Sequence, residues 1–323
     1  MRWVFKILLG LSVLIFLATG IGIYVLKTSY PKAGNAPDLQ IKATPEMIER
    51  GRYLANNVAV CIDCHSTRDK NHFTAPPLPG TEGKGGGLFT EEEGLPGTLV
   101  APNITPAALG NWTDGEILRA ITSGVNKNGN ALFPLMPYLS YGNMTQNDVF
   151  AVIAYLRTLK PIKNTPARST LNFPMNLIVN TMPQPYEAPS EPDKSDTIVY
   201  GKYLTTIAAC HECHTPQNRG TPLPGMYMAG GFEFPLPTGK RVISANITPD
   251  LETGIGHWKR VYFIAQFKRF DKPEARTFPV QNGYNTTMPW TMYAGMTESD
   301  LGAIYDYLQT IPPVKNGVNK FPE

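Results

Sequence analysis

The four cysteines of this chain fall in two pairs, each closed by a histidine: Cys61-Ile-Asp-Cys64-His65 and Cys210-His-Glu-Cys213-His214. Two thiols one helical turn apart can form thioethers to the two vinyl groups on one edge of a porphyrin. The adjacent imidazole then reaches the iron from the proximal side. Cys-x-x-Cys-His is therefore a haem attachment motif. Zinc or a redox dithiol would also use such pairs, but neither explains why both pairs sit in register within a long internal repeat. The expectation is two covalently bound haem c groups, attached through Cys61, Cys64, Cys210 and Cys213. His65 and His214 are then the proximal iron ligands, and no cysteine remains for a disulfide.

A second axial ligand has to come from elsewhere. The chain has five histidines; His211 lies inside a motif, His72 has no counterpart in the other repeat, and His257 aligns with Asn111. Methionines, by contrast, repeat: Met136 with Met288, and Met144 with Met296. Met144 and Met296 precede helix starts, where they can staple against Val149 and Leu301. Met136 and Met288 lie in loops and are each followed by proline, whose fixed φ limits competing loop conformations. Met136 and Met288 are the expected sixth ligands, with burial in the core as the other reading of such residues.

The elements around these residues are written twice. Gly51-Arg-Tyr53-Leu54 matches Gly201-Lys-Tyr203-Leu204, and Asn103-Ile-Thr105-Pro matches Asn246-Ile-Thr248-Pro. Gly110-Asn-Trp112 matches Gly256-His-Trp258, and Met136-Pro-Tyr138 matches Met288-Pro-Trp290. Each repeat closes on a helical pattern that begins Thr145-x-x-Asp148 or Thr297-x-x-Asp300, a capping box with Asp for Glu. Thr44-Pro45 starts a helix running to about Asn56, and Thr113-x-x-Glu116 caps one ending near Gly124. Tyr53, Tyr155, Tyr203 and Tyr307 are expected to pack the first helix of each repeat on its last. Trp112 and Trp258 can serve a haem propionate or pack as helix-start aromatics. Asn103 and Asn246 can orient a loop near the haem edge or form turns. Glu91-Glu-Glu93 is a solvated loop or a docking patch for a basic partner. No convincing alternating strand is visible. The expected fold is all-α: two tandem domains, 42–165 and 196–323, behind an anchor and spacer (1–41) and joined by a linker (166–195). The middle of the linker carries Leu171, Phe173, Leu177, Ile178 and Val179; their burial between the domains would fix the two haems relative to each other.

Ile7 to Leu26 is an uninterrupted apolar run of a length that spans the hydrocarbon core, about 30 Å. Arg2 and Lys6 precede it, so Met1 is expected in the cytoplasm. A cleaved signal peptide is the rival reading, but Tyr24-Val-Leu-Lys27 is a poor cleavage site. Both readings export the rest of the chain, which places the haem-bearing part in the periplasm and, with the run retained, on a single-pass inner-membrane anchor. The formal net charge is +3 in 323 residues, without a polybasic run or a basic stripe interleaved with aromatics, so nucleic acid is not an expected partner. Thirty prolines and 29 glycines point to long irregular loops between short helices.

With its Gly/aromatic first helix, haem motif, Met-Pro loop and Tyr-Leu last helix, each repeat resembles a class I cytochrome c. The loop Asn246-Ile-Thr-Pro-Asp250 through Gly256-His-Trp258 is similar to cytochrome subunits of membrane-bound alcohol, gluconate and aldehyde dehydrogenase complexes, many of which carry three haem units. The resemblance implies an electron carrier of the respiratory chain rather than an enzyme. Its redox partners would be a dehydrogenase, a soluble cytochrome or a terminal oxidase. Filled axial positions on both irons would leave no open site for the alternative, a dihaem peroxidase.

Overall fold

The computed structural model describes residues 2–218, 220–236 and 238–322; Met1, expected in the cytoplasm, lies outside them. The chain opens on α1 (Arg2–Thr28), a helix with no buried residue that is long and apolar enough to cross a membrane. The first half follows with α2 (Pro45–Tyr53), a single π-helical turn over Leu54–Val58, and α3 (Cys61–Cys64). It continues with α4 (Pro106–Leu109), α5 (Asp114–Ser123), α6 (Tyr138–Tyr141) and α7 (Gln146–Thr158). The connection holds α8 (Met175–Ile178). The second half contains α9 (Thr197–Ile207), α10 (Cys210–His214), α11 (Arg260–Lys268), α12 (Trp290–Tyr293) and α13 (Glu298–Leu308).

Helix starts are set by the threonines. The Thr44 side chain accepts from Met47 N–H, Thr113 from Glu116 N–H, Thr145 from Asp148 N–H and Thr297 from Asp300 N–H. Thr113 and Glu116 complete a reciprocal box, and Gly124, in the left-handed region, ends that helix. In both halves the first and last helices cross at a glycine. A Cβ on Gly51 would lie 1.8 Å from the Ala151 carbonyl oxygen, and one on Gly201 would lie 1.9 Å from that of Ala303. Only a residue without a side chain permits that approach.

The all-α, two-tandem-domain expectation is overturned on two counts. First, seven short strands occur among the described residues. Antiparallel β1 (Leu88–Phe89), β2 (Gly97–Val100) and β3 (Thr170–Leu171) form one small sheet. β4 (Gln217–Asn218) pairs with β5 (Thr221–Pro222), and β6 (Glu233–Pro235) with β7 (Arg241–Ile243). At two to four residues each they are too short for alternation to register in the sequence. Second, the halves do not build separate cores. Leu54, Val58, Ile153 and Leu156 of the first half and Leu204, Ile207, Leu301 and Leu308 of the second are buried in one continuous apolar cluster.

Polar contacts lock the halves reciprocally. Tyr53 and Tyr203 do not stay on their own last helix. Tyr53 OH donates to Asp300 Oδ2 at 2.6 Å and Tyr203 OH to Asp148 Oδ2 at 2.6 Å. Each hydroxyl also accepts the N-cap amide of the same foreign helix, Thr297 N–H at 3.1 Å and Thr145 N–H at 3.3 Å. Within the first half, Arg50 adds a two-pronged pair to the same Asp148 carboxylate, both contacts at 2.8 Å. A second join is made by the loop at Phe73, whose ring stacks on Phe270, while Asn285 accepts from Thr74 N–H and donates to the His72 carbonyl.

Candidate functional site

Each Cys-x-x-Cys-His motif is launched from a strained turn. Val60 (φ 46°) and Ala209 (φ 54°), each immediately before a first cysteine, adopt the left-handed region. A non-glycine residue there costs about 1–2 kcal/mol. What holds it is a buried tyrosine: Tyr141 OH donates to the Ala59 carbonyl at 2.6 Å, and Tyr293 OH to the Ala208 carbonyl at 2.9 Å. The four thiols are free. Burial pushes those of Cys61, Cys64 and Cys210 up to about 12, opposite to the depressed thiol of a redox Cys-x-x-Cys pair. Among the described residues no three His, Cys, Asp or Glu side chains converge as a metal cluster would need, so the two pairs do not form a four-cysteine zinc site.

The histidines are oriented alike. His65 Nδ1 bonds the Pro102 carbonyl at 2.7 Å and His214 Nδ1 the Ala245 carbonyl at 2.8 Å. Burial lowers both imidazole pKa values, so the rings are neutral with Nδ1–H as donor. Nε2 is then the free lone pair, the state in which histidine ligates a metal. This donor set fits a c-type haem: two thiols for the vinyl edge and one oriented imidazole nitrogen for the iron.

The carbonyls that orient the histidines are themselves fixed. Asn103, next to Pro102, donates to the Ile162 and Asn164 carbonyls at 2.8 and 3.0 Å and accepts from Thr105 N–H and Oγ1. Asn246, next to Ala245, donates to the Val314 carbonyl at 2.8 Å and accepts from Thr248 in the same way. These asparagines tie the histidine's acceptor loop to the tail of their half. Pairing of the repeats marked Asn103 and Asn246; their role became visible only through the neighbouring carbonyl.

Met136 and Met288 are partly buried against the core, whereas Met144 and Met296 are fully buried within it beside Val149 and Leu301. Met136 and Met288 each open a tight turn on the following proline: Tyr138 N–H returns to the Met136 carbonyl at 2.6 Å, Trp290 N–H to that of Met288 at 2.9 Å. Pro137 (φ −76°, ψ 58°) and Pro289 (φ −81°, ψ 63°) have inverse γ-turn geometry. In the first of these loops the Tyr138 hydroxyl is buried without a hydrogen-bond partner. Trp112 and Trp258 pack against the core, Trp258 edge-on to Tyr262. Glu91–Glu93 form a 3₁₀ turn under a Thr90/Glu93 box, and Glu91 accepts from Asn172.

The two motifs lie near each other. Burial raises the phenols of Tyr141 and Tyr293 well above their ordinary value, and the next causes are the cysteines of their own half; Tyr293 also feels Asp63 and Cys64 of the other. Ser140 of the first half donates to Glu212 inside the second motif at 3.2 Å.

No family model matches the chain. Over 300 residues it is 29% identical to the cytochrome c subunit of alcohol dehydrogenase (quinone) from Gluconacetobacter polyoxogenes, covering 87% of this chain and 59% of that protein. It is 28% identical to the fructose dehydrogenase cytochrome subunit of Gluconobacter japonicus, covering 82% of this chain and 52% of that one. A diheme cytochrome c-type protein from Cereibacter sphaeroides is 32% identical over 199 residues, 58% of this chain and 63% of that protein. The chain thus spans little more than half the length of the first two relatives. It is a homologue of cytochrome c subunits of alcohol and fructose dehydrogenases and of a diheme c-type cytochrome.

Proposed function

We propose that this chain is an electron-transfer protein carrying two covalently bound c haems, one in each of the segments 42–165 and 196–323, held on the periplasmic side of an inner membrane by α1. The observation that carries the reading is the pair of Cys-x-x-Cys-His turns, each with its histidine Nδ1 spent on a backbone carbonyl. Cys61 and Cys64, and Cys210 and Cys213, would make the thioethers; His65 and Met136, and His214 and Met288, would hold the irons. Haem supplies the one-electron chemistry. The chain's residues supply the rest. The asparagine-braced carbonyls hold each imidazole in one tautomer, which raises its basicity toward iron. Methionine sulfur as the second iron ligand would raise the potential and leave no position for substrate.

The names of the relatives favour a more specific reading: the chain accepts electrons from a separate dehydrogenase subunit and passes them to a membrane or periplasmic acceptor. Haem content tests the basic assignment. Full-length protein from a host with haem c maturation should give two haems per chain by alkaline pyridine spectroscopy, both retained after acid–acetone extraction. One haem per chain, or extractable haem, would overturn it. Purification without detergent stripping should then recover a dehydrogenase subunit in fixed ratio; a chain recovered alone, with full membrane-bound activity elsewhere, would exclude the complex.

A further inference from the structure

The apolar middle of the connection is not buried between the halves. Phe173 is 76% exposed and Ile178 40%, and Leu171, Met175 and Leu177 are only partly covered; Val179 alone is buried, at 5% exposure. Side chains left in water in this way forgo the stabilisation that burial of apolar surface provides. Their surroundings suggest a different solvent. α8 and the 3₁₀ turn after it (Val179–Thr181) pack against α1. The residues of α1 that gain partial cover are Ile23 and Leu26, in its last two turns. There the apolar run gives way to Tyr24, Lys27, Tyr30 and Lys32, with the Lys32 ammonium 5.0 Å from the Tyr30 ring centre. Aromatic and basic residues of this kind mark a membrane–water boundary. From Ser169 to Tyr186 the connection carries no charged residue, unlike the surface a charged redox partner would select.

We propose that Leu171–Val179 is a second membrane contact, with Phe173 and Ile178 entering the headgroup–acyl boundary of the outer leaflet beside α1. This rests on the reading of α1 as a membrane span. The segment is not a loose flap. β3 pairs with β2 of the first half, and Asn172 donates to Glu91 at 2.8 Å. Two contacts, one through α1 and one through a segment hydrogen-bonded to the first half, would fix the tilt of the haem-bearing body against the bilayer. A single stalk would let it swing.

The test uses full-length holoprotein in vesicles of phosphatidylcholine and phosphatidylglycerol, with a nitroxide side chain placed by codon suppression at position 173, 178, 14 or 202. Collision with lipid-soluble oxygen is compared with collision with a water-soluble nickel chelate. Positions 173 and 178 should give an oxygen-to-nickel ratio several-fold above that at 202, a solvent-facing site on α9, and approach that at 14, inside α1. Ratios at 173 and 178 equal to that at 202, with 14 still lipid-exposed, would overturn the second contact and leave the membrane span standing. A water-exposed position 14 would instead remove the span on which the proposal rests. Shielding of 173 and 178 from both reagents would mean a protein occupant, and would also overturn it.

Discussion

In a Thr-x-x-Glu box the glutamate is long enough to return to the N-cap amide, as Glu116 does to Thr113 at 2.8 Å. The aspartates of Thr145-x-x-Asp148 and Thr297-x-x-Asp300 are one methylene shorter, and a tyrosine hydroxyl from the other half fills the gap by accepting from the amide and donating to the carboxylate. The one-letter difference from the usual box was therefore the sequence's trace of an interface, legible only once the tyrosines were placed. The two sites are unequal. Asp148 also has Arg50, while Tyr53 is the only side-chain partner of the Asp300 carboxylate among the described residues; the aspartates are 7% and 9% exposed. Hydrogen bonds to a charged group contribute about 1.5–3 kcal/mol. Tyr53→Phe should fall near the top of that range and Tyr203→Phe near the bottom, measured by guanidinium unfolding of the holoprotein; equal losses would count against the asymmetry. At the haem sites, Met136→Ala and Met288→Ala should each change the spin state of one haem and leave the other, whereas Met144→Ala should lower stability without that change. Electron paramagnetic resonance separates the cases, and a spin change on Met144→Ala alone would shift the proposed ligand to that residue.

The helices were legible because their starts are chemical. Thr44, Thr113, Thr145 and Thr297 are each an N-cap in the structure, and the paired glycines and Tyr-Leu motifs mark where first and last helices cross. The strands were not legible, because two-residue pairings such as Leu88–Phe89 with Leu99–Val100 depend on where a glycine-rich loop folds back rather than on any periodic pattern. The apolar stretch 171–179 reads as a segment that packs on one or both halves, whereas most of it is left exposed, since a sequence does not say which apolar surface a segment will meet. The crossing glycines can be tested directly. In Gly51→Ala or Gly201→Ala the new methyl would stand under 2 Å from a backbone carbonyl that a helix cannot withdraw without breaking its own ladder. Overpacking of that kind costs roughly 1–3 kcal/mol, so the thermal midpoint should fall in either variant while Gly10→Ala in α1, with nothing within 4 Å, leaves it unchanged.

On the scale of the whole molecule, the question is whether the two halves, each with one proposed haem, act as one conductor. The linker is not what fixes them: Phe173 and Ile178 face outward, and the linker contributes to the first half through β3 and through Tyr186, which donates to the Met144 carbonyl at 2.9 Å. The fixing is done by the continuous core, the crossed Tyr–Asp contacts and the Phe73–Phe270 join, three independent sets that all span the two halves. Elements buried in a shared core open only at free energies near that of global unfolding, so these contacts hold the two attachment turns in one arrangement. Ser140 of the first half reaches Glu212 inside the second attachment motif, so the first half sits against the second turn, and the step between the two proposed haems is expected to be intramolecular. After rapid photochemical reduction of the holoprotein, redistribution between the haems should follow a single rate that does not change over a hundredfold range of protein concentration. Tyr53→Phe combined with Asn285→Ala weakens two of the three joins without touching a haem-site residue, and should slow or disperse that rate while the spectra of the separate haems stay as they were. A rate proportional to concentration in the unmodified protein would mean that electrons pass between molecules, and that the shared core serves stability alone.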